Sequence, residues 1–243
     1  MKKIYFFLVA VALFVSGATA SAQFMNQGAS SKASSSADVE DLFSTVEFTY
    51  SPVTMNSSIK YDGDSVKSSE DLNAISLNWA KVTSLPVDLP LYLQYGVGVQ
   101  YAWMTDSESE GDYSSKSTTS FLTAKVPVNV MYYFQIPSMN IALLPYAGLN
   151  LQGHILGQQK YTVKYDGESE SETISFFSKD DMDGEPYNRF VVGWQIGAKV
   201  AFDKYIVGIA YEGPVTNLYK YDEDGVTAKM NSTQINLSVG IKF

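Results

Sequence analysis

The sequence predicts an all-β fold, an eight-stranded antiparallel up-and-down transmembrane β-barrel, and three observations predict it. At the C-terminus Ile235, Leu237, Val239, Ile241 and Phe243 alternate with Gln234, Asn236, Ser238, Gly240 and Lys242. A period of two held to the final carboxylate is a strand. The apolar side is large and branched while the other is polar or tiny, so one face needs an apolar exterior and the other a crowded interior. Eight segments of this kind are joined by three short and four long connections in strict alternation. Barrels that cross a membrane have that asymmetry, with tight turns at one rim and long loops at the other.

Residues 1–22 carry Lys2 and Lys3, an apolar run over 4–15 and the small-residue exit Ala20-Ser21-Ala22, which together read as a secretory signal peptide. The run is shorter than the roughly 20 residues of a helical span. Its removal takes the net charge from −9 to −11. Residues 23–43, rich in Ser30, Ser31, Ser34, Ser35 and Ser36, read as a flexible periplasmic lead. The barrel domain is placed at 44–243. The absence of cysteine excludes a disulfide scaffold, a lipidated cysteine and thiol chemistry.

The strands are expected over 45–53, 74–84, 91–104, 119–134, 141–153, 190–202, 205–212 and 230–243. Pro127 lacks a ladder donor, so a bulge or local break is expected there. Parity puts Lys81 toward lipid, where it snorkels, sits on a bulge or marks a slipped register. Asp203-Lys204 is a two-residue turn. Aromatics fall at two levels of the outward face, with Tyr50, Tyr101, Trp103, Phe190 and Tyr211 at the loop end. Phe134, Phe202, Tyr205 and Phe243 lie at the turn end, and two such girdles suit the headgroup boundaries. A soluble lipocalin-type barrel would turn its large apolar side chains inward; here the inward set is Gly, Gln and Asn.

Inward parity also gathers Glu47, Lys125, Lys199, Glu212 and Lys242. Isolated charges in so narrow a lumen are costly, so Glu47 and Glu212 are expected to pair with Lys125 and Lys199 and plug it, with Lys242 close enough to the rim to reach water. The four long loops hold nineteen of the 26 acidic residues against eight lysines. Such a surface suits bridging cations or a basic partner as well as plain solvation, and it argues against nucleic acid. The recurring Lys60-Tyr61-Asp62-Gly63, Lys164-Tyr165-Asp166-Gly167 and Lys220-Tyr221-Asp222 stretches carry hairpin signals, so the strands are expected to continue as ribbons. Residues 180–185 have calcium-loop flavour without the ligand spacing, so no metal is assigned. His154, the single histidine, sits on inward parity, and a Ser–His–carboxylate site would need partners on neighbouring strands. No catalytic or cofactor-binding residue is assigned.

The strand count, the loop asymmetry, the leader and the Phe243 terminus resemble the small outer-membrane barrels grouped as the OmpA transmembrane domain, OmpX and opacity-type proteins, and the PorT-like outer membrane β-barrel domain family. The resemblance covers residues 45–243 and is architectural. It implies a monomer in the outer membrane, contact with lipid and lipopolysaccharide, and a Phe243-ended strand read by the barrel assembly machinery. It further implies a non-enzymatic surface, structural or adhesion role through an extracellular ligand. An OmpW-like small-molecule conduit, a PorT-like secretion role and an acyl-transfer enzyme using His154 are the alternatives.

Overall fold

The computed structural model describes residues 41–61, 64–87, 89–111, 113–136, 141–166, 168–179, 181, 187–223 and 225–243. The leader, residues 23–40 of the lead and most of the calcium-like stretch lie outside them. Eleven strands are formed: β1 (Asp41–Tyr61), β2 (Asp64–Ser84), β3 (Leu91–Glu110), β4 (Tyr113–Tyr132), β5 (Phe134–Ile136), β6 (Ile141–Tyr165), β7 (Glu168–Ser175), β8 (Phe190–Phe202), β9 (Tyr205–Pro214), β10 (Tyr219–Glu223) and β11 (Val226–Lys242). Eight of them are staves in the order β1-β2-β3-β4-β6-β8-β9-β11, and β11 returns to pair with β1. Every pairing in the ring is antiparallel, and all but the closing β1–β11 pair join staves consecutive in the chain. The ring leaves no free edge where it is complete.

Alternation fixes which way each stave faces. On β11 Ile235, Leu237, Val239 and Ile241 are exposed on the outside, while Gln234 is buried inside. Phe190–Phe202 has 13 residues, and at about 3.3 Å each and a tilt of about 40° it rises roughly 33 Å. The anticipated aromatics follow the outward parity, and two pairs of them are in ring contact, Tyr101 on Trp103 with centroids 5.7 Å apart and Phe202 against Tyr205 at 5.6 Å. Phe243 is exposed just past the end of β11.

Three local expectations have definite outcomes. β1 begins at Asp41, three residues ahead of the anticipated barrel start, with a register shift between Asp41 and Phe43. At Pro127 the β3–β4 ladder is interrupted between Tyr95↔Val128 and Gly98↔Lys125 and resumes in the same register, the local break that a missing donor produces. Lys81 sits in unbroken register opposite Tyr95 on β3 and Ser44 on β1, so neither slip nor bulge occurs there. The one shift within the β4–β6 pairing lies higher, where Leu122 opposes Leu156 but Thr123 opposes His154, leaving Ile155 as the extra residue.

The long loops are largely strand. β1 and β2 run on to Tyr61↔Asp64, β3 and β4 to Glu110↔Tyr113, β6 and β7 to Tyr165↔Glu168, and β10 and β11 to Glu223↔Val226. The tips are tight, and Gly111 (φ 58°), Asp166 (φ 48°) and Gly225 (φ 78°) take the left-handed conformation such tips demand. β2–β3 pairing stops at Asn73↔Trp103, and β8 and β9 are short. Above the complete ring the wall therefore divides into two four-stranded flanges. The terminal flange is β10-β11-β1-β2 and the central flange is β3-β4-β6-β7.

Glycines on the inner wall let large side chains cross it. A Cβ on Gly240 would lie 2.7 Å from Glu47 Cγ, and one on Gly208 would lie 2.9 Å from Lys199 Cγ. Gly240→Val is accordingly expected to destabilise the barrel by roughly 1–3 kcal/mol through overpacking. The check is a urea titration in phospholipid vesicles; an unshifted midpoint would show that the β1–β11 seam tolerates bulk.

Candidate functional site: the barrel interior and its rim

The interior is layered. At the turn end Val82, Met131, Ala142, Leu144, Ala201 and Ile206 form a buried apolar floor, with Leu42, Phe43, Tyr92, Tyr133 and Tyr146 packed against it. At the loop end Val53, Met55, Leu72, Ala74, Ala102, Phe121 and Leu218 form a second apolar cluster, with Phe176, Phe177, Tyr187 and Met230 against it. Between the two lies a polar belt. The sequence reading anticipates this belt alone and takes the whole inward face as polar or tiny. Inward parity continues above and below the belt, and there it carries Met, Leu, Val and Phe.

Two ion pairs cross the belt. Lys199 Nζ donates to Glu47 Oε1 at 2.7 Å and Lys125 Nζ to Glu212 Oε2 at 3.0 Å, all four side chains being buried. Charges taken out of water are retained only with further hydrogen bonds, and both carboxylates have them. Thr45 Oγ1 donates to Glu47 at 2.8 Å. Glu212 also accepts from Asn150 at 3.1 Å, Gln234 at 2.6 Å, and Gln152. A second chain of amides runs from Gln195 to Asn129 at 2.7 Å and on to Gln94 at 2.9 Å. Gln100 donates to Gln234 at 3.0 Å. Lys199 Nζ also stands 5.5 Å from the Tyr146 ring centroid.

Lys242, grouped with these charges on parity, stands apart from both pairs. It is half-buried, with Nζ 5.9 Å from the Phe43 ring centroid and its backbone N–H donated to Lys204. A cavity of about 70 Å³ lies beside the pairs, bordered by Glu47, Lys125, Lys199, Glu212 and Asn150. The Oδ1 of Asn150 lacks a protein partner there, the setting in which a buried water completes a polar network.

His154 belongs to the upper cluster. Its Nδ1 is hydrogen-bonded with Thr123 Oγ1 at 2.8 Å, its ring stacks on Phe177 at 5.9 Å, and it meets Phe121 edge-on at 6.0 Å. Phe176 stacks on Tyr187 at 5.0 Å, and Tyr187 meets Tyr219 at 5.2 Å, extending the aromatic run to the terminal flange. Gly157 leaves space for it, since a Cβ there would lie 3.0 Å from the Phe121 ring. Burial, together with Tyr219 and Glu70 nearby, pushes the Tyr187 phenol above its usual range. The segments that thread this cluster bridge between flanges: Asn188 N–H donates to Leu218 O and Leu218 N–H to Met230 O. Among the described residues no group of three or more His, Cys, Asp and Glu side chains is placed to hold a metal ion.

No family model matches the chain, and no curated protein matches it. Among solved structures, Ail, the attachment invasion locus protein of Yersinia pestis, is 14% identical and is aligned over 83% of this chain and 98% of its own, with a TM-score of 0.31. Neisserial surface protein A is 14% identical over 81% and 97% at a TM-score of 0.30. The N-terminal β-barrel domain of Pseudomonas aeruginosa OprF is 12% identical over 79% and 97% at 0.27. Likeness at this level carries no argument about family or role; the fold rests on the closed strand ring itself.

Breaking one pair strands the other charge. Lys199→Met is expected to cost about 3–5 kcal/mol, whereas Glu47→Met with Lys199→Met recovers most of that loss, because a buried pair is close to neutral against apolar replacements. A double-mutant cycle by urea unfolding in vesicles measures both; a double variant no more stable than the single would refute the pairing.

Proposed function

We propose that this chain is an outer-membrane β-barrel protein with a sealed lumen, acting without chemistry of its own through the ribbons it presents outside the cell. The observation that carries the reading is the inversion of the cylinder. Leu77, Val99, Leu149, Ile196, Ile209 and Leu237 are exposed around the outside of a closed ring whose inside holds buried ion pairs and amides. In water that belt would be a large apolar patch. In a bilayer it is the required surface, and a closed ring satisfies the backbone that lipid cannot. No helix among the described residues is long and apolar enough to cross a membrane.

The seal is threefold: an apolar floor, the crossed pairs of the belt, and the aromatic cap around Phe121, His154 and Phe177. His154 serves that cap, with its Nδ1 engaged by Thr123, its ring stacked on Phe177 and Phe121 meeting it edge-on. The short connections lie on the periplasmic side and the flanges on the cell surface, so the contacts that define the role are made by the flanges.

Because the chain has no cysteine, single reporters test the placement. A membrane-impermeant maleimide on intact cells is expected to label Ser169→Cys on the β6–β7 ribbon and to spare Lys204→Cys at the β8–β9 turn until the outer membrane is permeabilised. Labelling of both, or recovery of the mature chain dissolved without detergent, would overturn the reading. Planar bilayers tell on the lumen: the expected record has no steady conductance, and a lasting open pore would overturn the seal.

A further inference from the structure

The flanges sort their side chains by face. Pairing on the central flange sets Glu110, Tyr113, Tyr165 and Glu168 in one row, Glu108, Ser115, Val163 and Glu170 in the next, and Asp106, Ser117, Tyr161 and Glu172 below. This face continues the one that carries Met104 and Phe121 into the apolar cluster, so it is the inner face. All six carboxylates of these rows are on it. The flange's lysines, Lys116, Lys160 and Lys164, have the opposite parity and lie on the outer face beside Ser and Thr.

The inner face of the terminal flange is different. Its rows read Glu70 and Met55, then Ser68, Ser57, Met230 and Tyr219, then Val66, Ile59, Ala228 and Tyr221, then Asp64, Tyr61 and Val226, with Glu223 at the register position beside Val226. Lower down, the two inner faces meet in the apolar cluster, where Val53 is 7% and Leu72 2% exposed. Higher up, Ile59 is 50%, Tyr61 64% and Val66 69% exposed, and Tyr165 of the central flange is 67% exposed. Sheets packed face to face at about 10 Å bury such side chains. The flanges therefore stand apart above their shared base, with a face on which Val66, Ile59, Ala228 and Val226 stand between Asp64 at the tip and Glu70 lower down, across an open cleft from a carboxylate and tyrosine face.

The spacing selects the occupant. The two carboxylate columns, on β3 and β7, are three strand intervals apart, about 14 Å, too far to share one small ion. Within a column the repeat is about 6.7 Å, the same-face repeat of any extended chain. An extended segment lying along the strands meets one acid at every second residue and turns its intervening side chains to the other wall. From this we propose that the cleft takes a cationic, amphipathic stretch of extended polypeptide. Basic side chains lie against the columns of the central flange, and apolar ones against Ile59, Tyr61 and Val66. Tyr113, Tyr161 and Tyr165 add ring faces and hydroxyls to the basic side. The seam above Asn73↔Trp103, where β2 and β3 have no mutual ladder, opens the cleft sideways so that a segment within a longer chain can enter.

The proposal rests on the outward display of the flanges, but its test does not. Full-length protein in detergent micelles is titrated against a fluorescein-labelled, acetylated peptide of alternating lysine and valine, about eight residues long to match the columns, and followed by anisotropy. Saturable binding is expected, weakened at least about tenfold by Glu108→Gln/Glu110→Gln/Glu168→Gln/Glu170→Gln and by Ile59→Ser/Val66→Ser alike, with far-UV circular dichroism unchanged. All six substitutions are at exposed rim positions, so the barrel below reports folding independently. Oligolysine of equal charge binding as tightly, either variant binding like the parent, or calcium at equal ionic strength displacing the peptide where sodium does not would each overturn the proposal. The maleimide experiment reads membrane placement separately, so the two ideas fail independently.

Discussion

Closure of the ring is the constraint from which the rest follows. Once β11 pairs with β1, no backbone edge remains in the complete part of the barrel, and every inward group must find its partner inside a cylinder only as wide as the side chains that fill it. The inner wall therefore combines very small residues with long polar ones. Gly240 and Gly208 lie where Glu47 and Lys199 need room, and each carboxylate that enters brings a cation and several amide or hydroxyl donors with it. Glu212 shows the cost of partial satisfaction avoided: one buried carboxylate accepts from Lys125, Asn150, Gln152 and Gln234.

Alternation made the staves legible. Strands such as Leu91–Glu110 and Phe190–Phe202 keep a period of two over their whole membrane-length part, and parity alone places Glu47, Lys125, Lys199 and Glu212 inside. Parity does not give height: it groups Lys242, two residues toward the turn end from the Glu47↔Gly240 level, with those charges, and only its place beside the chain end sets it near the rim. For the same reason it missed the apolar floor and cap. Val53, Ala102 and Met104 within the expected strands, and Met55 just past the end of the first, continue the inward series beyond the aromatic level, a signal present in the sequence.

The flanges were half legible. The Lys-Tyr-Asp repeats marked the hairpin tips, and ribbons formed there. The more informative pattern was Asp106-Ser107-Glu108-Ser109-Glu110, matched by Glu168-Ser169-Glu170-Ser171-Glu172. Counted only as charge, these runs look like a solvated surface. Read at period two they are strands with one acidic face, and pairing through Tyr113 and Tyr165 puts both acidic faces on one side. Which side that is depends on register, information held by the pairing of β4 with β6 rather than by either run.

Ile155 decides that register. Below it the even-numbered residues of β6 look into the barrel, and above it the odd-numbered ones do, because Leu122 opposes Leu156 while Thr123 opposes His154. Without that single inserted residue the upper half of β6 would roll over by half a turn, carrying β7 with it. Lys160 and Lys164 would then line the gap between the flanges, and Glu168, Glu170 and Glu172 would look away from it. One supernumerary amino acid thus sets how strongly negative the electric potential is that an arriving molecule meets, since the acids of β3 stay in place whichever way β6 turns.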